Sequence, residues 1–163
     1  MLRTLATSGI VFSSIAAACQ LTNGNYFTGV ETDTNLCMGQ GEGQWTFGMS
    51  VSLSDVPAPG GTPDVGAGSS TTFYIFDNAC NIMSTYTPGS CGVPWIIEEN
   101  FLADVLTITR VEMDVGQPYF SFNYGNGVYS INNNHCVCNS DDDGLTAGQG
   151  CRCAFPVDGY FTG

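Results

Sequence analysis

Residues 119–131 read Tyr-Phe-Ser-Phe-Asn-Tyr-Gly-Asn-Gly-Val-Tyr-Ser-Ile, and this stretch decides the fold class. Two arms rich in aromatic and β-branched residues flank Asn126-Gly127. That dipeptide tolerates the positive φ angles of a tight type I′ turn, so the stretch predicts a β-hairpin. With the turn at Asn126-Gly127, Gly125 faces Val128, Tyr124 faces Tyr129 and Phe122 faces Ile131.

Outward from this hairpin the same pattern recurs. Residues 44–53 alternate Trp45, Phe47, Met49, Val51 and Leu53 against Thr46, Gly48, Ser50 and Ser52, which is a half-buried strand with one apolar face. Residues 56–70 are rich in Pro, Gly and Ser without periodicity and predict a long exposed loop. Strands are expected at 71–77, ended by Asp77-Asn78, and at 82–86, closed by Thr87-Pro88-Gly89. A short buried run covers 94–97. Glu98-Glu99-Asn100 then breaks the chain before a β-rich segment at 101–113, whose first residues also fit a helical turn. The reading is all-β: a small disulfide-stapled β-sandwich or β-barrel.

The chain has 163 residues, room for one domain with a real core. It has 15 acidic residues against three arginines and no lysine, giving a net charge of −12. Such a chain lacks the basic footprint that nucleic acid or an anionic membrane requires. Residues 1–18 have the layout of a secretory signal peptide. Arg3 precedes an apolar, uncharged run, and Ala16-Ala17-Ala18 supplies small residues for cleavage. Cleavage is expected after Ala18 or one residue later, which decides whether Cys19 is kept; a lipidated N-terminal Cys19 is the competing reading. Residues 19–163 are then a single secreted, cysteine-rich β domain.

Cys19, Cys37, Cys80, Cys91, Cys136, Cys138, Cys151 and Cys153 form an even set, as expected of a disulfide framework in an extracellular protein. The last four also carry geometry. In an antiparallel hairpin, opposed residues have numbers of constant sum, and the pairs 136/153 and 138/151 share one sum. Alternate residues share a face, so a single C-terminal hairpin can hold both bridges; pairing to Cys80 or Cys91, which would staple more chain, is the alternative. The hairpin would present residues 139–150 as an acidic loop. The rival reading, zinc held by His135 and two Cys-x-Cys pairs, has the wrong ligand spacing.

Asn139, Asp141, Asp143 and Gly144 match the opening of a calcium loop, in which alternate oxygen ligands converge on a hard cation. The bidentate Glu of the helix–loop–helix version is replaced by Gly150. No cofactor is therefore expected, with Ca²⁺ the one ion the pattern would suit. Asp141, Asp142 and Asp143 are instead candidates for recognising a basic partner. His135 would serve as a base for Ser130 or Ser140 only with an orienting acid, and no such set is visible. Glu98, Glu99, Asp104, Glu112 and Asp114 supply carboxylates without a defined catalytic pair. Trp45, Trp95 and Tyr119 are candidates for a sugar-stacking platform, though such aromatics usually pack in cores.

With its signal-like start, eight cysteines and the tail His135-Cys136-Val137-Cys138-Asn139 … Gly150-Cys151-Arg152-Cys153-Ala154-Phe155-Pro156, the chain resembles the small cysteine-rich secreted proteins of ascomycete fungi. The resemblance is one of type, and it implies an apoplastic effector or cell-death elicitor acting on plants. It differs from hydrophobins, which carry adjacent cysteine doublets. It differs too from the haem-binding eight-cysteine modules, whose spacings are compact, whereas 42 residues separate Cys37 from Cys80 here. The expected function is non-catalytic: a secreted effector bound by a host extracellular or cell-surface protein. A carbohydrate-active or wall-polysaccharide-binding protein and a calcium-dependent adhesion module are the alternatives.

Overall fold

A computed structural model describes residues 18–24, 36–56, 66–114, 117–133, 135–142 and 146–160. Ten strands and, among these residues, no helix make up the fold. They are β1 (Cys19–Gln20), β2 (Gln44–Val56), β3 (Gly66–Phe76), β4 (Ile82–Tyr86), β5 (Trp95–Ile97), β6 (Leu106–Glu112), β7 (Tyr119–Tyr124), β8 (Gly127–Ser130), β9 (Cys136–Asp142) and β10 (Thr146–Pro156). They pair into two open five-stranded sheets, in the orders β1-β5-β6-β7-β8 and β4-β3-β2-β10-β9. The sheets share one apolar core and do not close on each other, so the architecture is a sandwich, not a barrel.

Alternation builds that core. Phe47, Met49 and Val51 of β2, Phe73 and Ile75 of β3, and Cys151, Cys153 and Phe155 of β10 project from one sheet. Ile97, Leu106, Ile108, Phe120, Phe122 and Tyr124 meet them from the other. Phe122 lies at the centre, with ring centroids 4.9 Å from Phe47, 4.8 Å from Tyr129 and 6.0 Å from both Phe120 and Phe155. β6 keeps its pattern by a bulge between Ile108 and Arg110, which leaves Thr109 and Arg110 both outside while Ile108 stays in the core.

The outer face of the long sheet carries a second cluster, Leu36, Tyr74 and Phe76, with Cys37 and Ile82 against it. This is why Thr46 and Gly48, on the polar side of β2, are buried as well. The Cys37–Cys80 bridge holds the covering segment down. Asp77 organises the turn beneath it: Oδ1 accepts from the amides of Ala79 and Asn81, both at 2.8 Å.

Two expectations need correction. The hairpin at 119–131 forms, but its register is slipped by two: Tyr124 faces Gly127 and Phe122 faces Tyr129. The turn residues are Gly125 and Asn126, not Asn126 and Gly127. Gly125 adopts φ +54°, and a Cβ there would collide with the backbone of Gly159; the amide of Asn126 donates to Gly159 O at 3.1 Å. Tertiary contact with the chain end selects the turn over the local Asn-Gly preference. A slip of two preserves the faces, so the core aromatics stay inside.

The expected loop at 56–70 is partly strand. Gly66–Ser70 pairs with β2 from Val56 to Ser52, leaving 57–65 outside the described residues. Backbone pairing with β2 needs no apolar pattern, and small residues such as Gly66, Ala67 and Gly68 offer none to read.

Candidate functional site

The C-terminal hairpin β9–β10 carries two of the four disulfides. Ala154 N donates to His135 O at 3.0 Å, which puts pair 135/154 in the hydrogen-bonded set. Pairs 136/153 and 138/151 therefore fall in the closer, non-hydrogen-bonded set. Both are bridged, with Cα atoms 4.0 Å apart in each. This is the pairing that the shared sum implies. The other two bridges are Cys19–Cys91 and Cys37–Cys80, and no cysteine is free.

The hairpin cystines face the core. Cys151 and Cys153 are fully buried, and Cys136 and Cys138 pack against the same cluster. Pro118 O, just before β7, lies 3.9 Å from the sulfurs of both Cys138 and Cys151. The sulfurs act as core atoms, so the tie is shielded by the opposite sheet.

The acidic residues are placed differently from expectation. Residues 139–150 do not form one loop: β9 runs through Asp142 and β10 starts at Thr146. Asn139 faces Gly150, Asp141 faces Gly148 and Asp142 faces Ala147. Opposite each of these two acids in the register stands a small neutral residue. Asp143 and Gly144 lie outside the described residues. The backbone at Asn139 and Asp141 is extended and paired, so these two residues of the calcium pattern sit on a strand. No cluster of three or more metal-ligating side chains occurs among the described residues.

Register brings in a residue that sequence reasoning passed over. β2, β3, β9 and β10 run on together, with Ser54 facing Thr146 and Asp55 facing Ala67. The strands of the other sheet hold two to seven residues, against 13 in β2 and 11 in β3 and β10. Asp55 thus joins Asp141 and Asp142 at one end of the long sheet. Glu112 of the other sheet faces Tyr119, and both Glu112 and Asp114 are exposed. Glu112 is paired with Arg110 at 3.1 Å, and the Arg110 guanidinium lies 4.9 Å above the Tyr119 ring. Charge along the chain did not show this gathering, because Asp55 is far from the hairpin in sequence.

The remaining candidates separate. Trp95 is buried and donates its indole N–H to Cys91 O at 2.6 Å, which corrects the platform reading. Trp45 leans on Phe101 at 5.7 Å, and Tyr119 lies beneath Arg110. The three aromatics belong to different strands: Trp45 and Trp95 both pack on the main core, while Tyr119 is half-buried beneath Arg110. His135 is exposed beside a shallow concavity of about 200 Å³ lined also by Met38, Val137 and Arg152. Ser130 is half-buried on β8, and the side chain of Ser140 is outside the description. Glu99 accepts a 2.8 Å hydrogen bond from the Tyr86 hydroxyl, and Asp104 caps the amide of Val105. Glu98 is exposed. Burial, with Glu99 close by, holds the Tyr86 hydroxyl well above its ordinary value. Comparison with protein-family models, curated proteins and solved structures finds no match for this chain.

Proposed function

We propose that the protein is a secreted, non-catalytic recognition domain, an effector or elicitor whose acidic end engages a basic surface on a host extracellular protein. The observation that carries this reading is the doubly tied β9–β10 hairpin with Asp55, Asp141 and Asp142 gathered at one end. Four intramolecular disulfides are typical of extracellular proteins and suit a molecule that must persist among proteases. Absence of lysine removes one of the two residue types after which a trypsin-like enzyme cuts. The fungal origin and plant target rest on the resemblance of type alone.

Infiltration of purified protein into leaves tests the reading. Native protein should trigger a response. Reduced and heat-denatured protein, and a variant combining Asp55→Asn, Asp141→Asn and Asp142→Asn, should lose it. Full activity of the denatured chain would place the signal in a linear epitope and overturn the proposal. Retention on chitin, cellulose or β-glucan would favour the polysaccharide alternative, and a melting shift on adding calcium the adhesion alternative.

A further inference from the structure

We infer that the leader is cut at the Ala18–Cys19 amide, so that the mature chain begins with Cys19. The inference rests on the secretion reading above. Ala16 and Ala18 suit a cut at that bond, and Ala17 suits a cut one residue later, so the sequence alone leaves both sites open.

The fold discriminates between them. Cys19 is bonded to Cys91 and forms the first rung of β1 against β5, facing Trp95. Its amide donates to Pro94 O at 3.1 Å, and the Leu21 amide to Ile96 O at 2.8 Å. Leu21 is buried in the main core. Gly89 closes over this corner so tightly that a Cβ there would lie 3.1 Å from Cys19 Sγ, 3.2 Å from Cys91 Sγ and 3.3 Å from Leu21 Cδ2. Ala18, by contrast, is exposed and outside the strand.

Cleavage after Cys19 would remove one half of this bridge. The secreted chain would then carry seven cysteines, with Cys91 left single beside three intact bridges. An odd thiol in an oxidising compartment invites intermolecular pairing. The lipidated reading fails on the same atom: a thioether needs Cys19 Sγ, which is committed to Cys91. Hydrolysis at Ala18–Cys19 consumes one water, leaving a carboxylate on Ala18 and an amino group on Cys19. That nitrogen keeps Pro94 O within hydrogen-bond reach, so the new terminus fits the strand it starts.

The full chain is expressed in a eukaryotic secretory host, and the protein in the medium is read by N-terminal sequencing, intact mass and thiol titration. The expected result is Cys19 as first residue and no free thiol. In Cys91→Ser, maleimide should label one thiol, at Cys19. A mature chain starting at any other residue overturns the inference, whether at Gln20 with a reactive Cys91 or upstream of Cys19. Acyl-modified Cys19 does so too. Retention of the uncut chain in the cells, with none in the medium, overturns this inference and the secretion reading together. Secretion with a different first residue overturns this inference alone.

Discussion

Phe122 touches four other aromatic rings and is fully buried, so its removal cannot be absorbed by one neighbour. Phe122→Ala should cost about 3–5 kcal/mol, the range for emptying an aromatic core site, read from the urea midpoint. Two tyrosines make a sharper comparison. The Tyr124 hydroxyl donates to Val157 O at 2.6 Å and accepts from Ala103 N at 3.0 Å, joining the turn before β6 to the chain end. The Tyr129 hydroxyl is buried with no hydrogen-bond partner among the described residues. Tyr124→Phe should therefore destabilise by about 1–3 kcal/mol, whereas Tyr129→Phe should leave stability unchanged or raise it. Equal losses in both would show that the hydroxyl contacts are misplaced. Burial raises Tyr86, Tyr124 and Tyr129 above the ordinary tyrosine value of 10.0. The fold thus favours the neutral phenol: this contribution is complete below about pH 10 and is lost as pH climbs from there toward the raised folded values. Alkaline denaturation monitored by circular dichroism should begin there, and Tyr86→Phe should make the decline shallower.

The β9–β10 hairpin makes its two bridges interdependent, because Cys138–Cys151 is nested inside Cys136–Cys153. With either intact, the other closes little additional chain. Replacing one pair by alanines should then cost clearly less than the about 3 kcal/mol of a free-standing loop of this length, beyond the loss of buried sulfur. Replacing both should cost more than the two single losses added together, as denaturant titration of the three variants would show. This element was legible in the sequence because two Cys-x-Cys pairs carry both face and register in their numbering. The 119–131 hairpin was legible as a hairpin but not in register. Local turn chemistry points to Asn126-Gly127, while the contact with Gly159 that wins comes from the far end of the chain. Extension of β2, β3, β9 and β10 past their apolar residues was hidden for a similar reason. A ladder of backbone hydrogen bonds leaves no trace in side-chain periodicity.

For the whole molecule, a net charge of −12 without any lysine means that self-repulsion opposes compaction. Adding monovalent salt at pH 7 should raise the melting temperature by screening that repulsion, and a fall would show that specific ion pairs dominate. Fold class was readable because short alternating strands recur along the chain. The gathering of Asp55, Asp141 and Asp142 was not, since it depends on β10 lying between β2 and β9. No single segment of sequence encodes that order. Adjacency of sheets is likewise decided by which faces can bury one another.

The placing of the four bridges has a mechanical consequence. β2, β3 and β4 lie within the ring closed by Cys19–Cys91, and β9 with most of β10 within that closed by Cys136–Cys153. β5 to β8 lie in residues 92–135, which no bridge encloses. Pulled from its ends, the molecule would release β5 to β8 of the shorter sheet strand by strand, at about 3.4 Å per residue. The strands of the longer sheet would stay at fixed contour length inside their rings. One half of the sandwich is thus built as a spring and the other as its anchor.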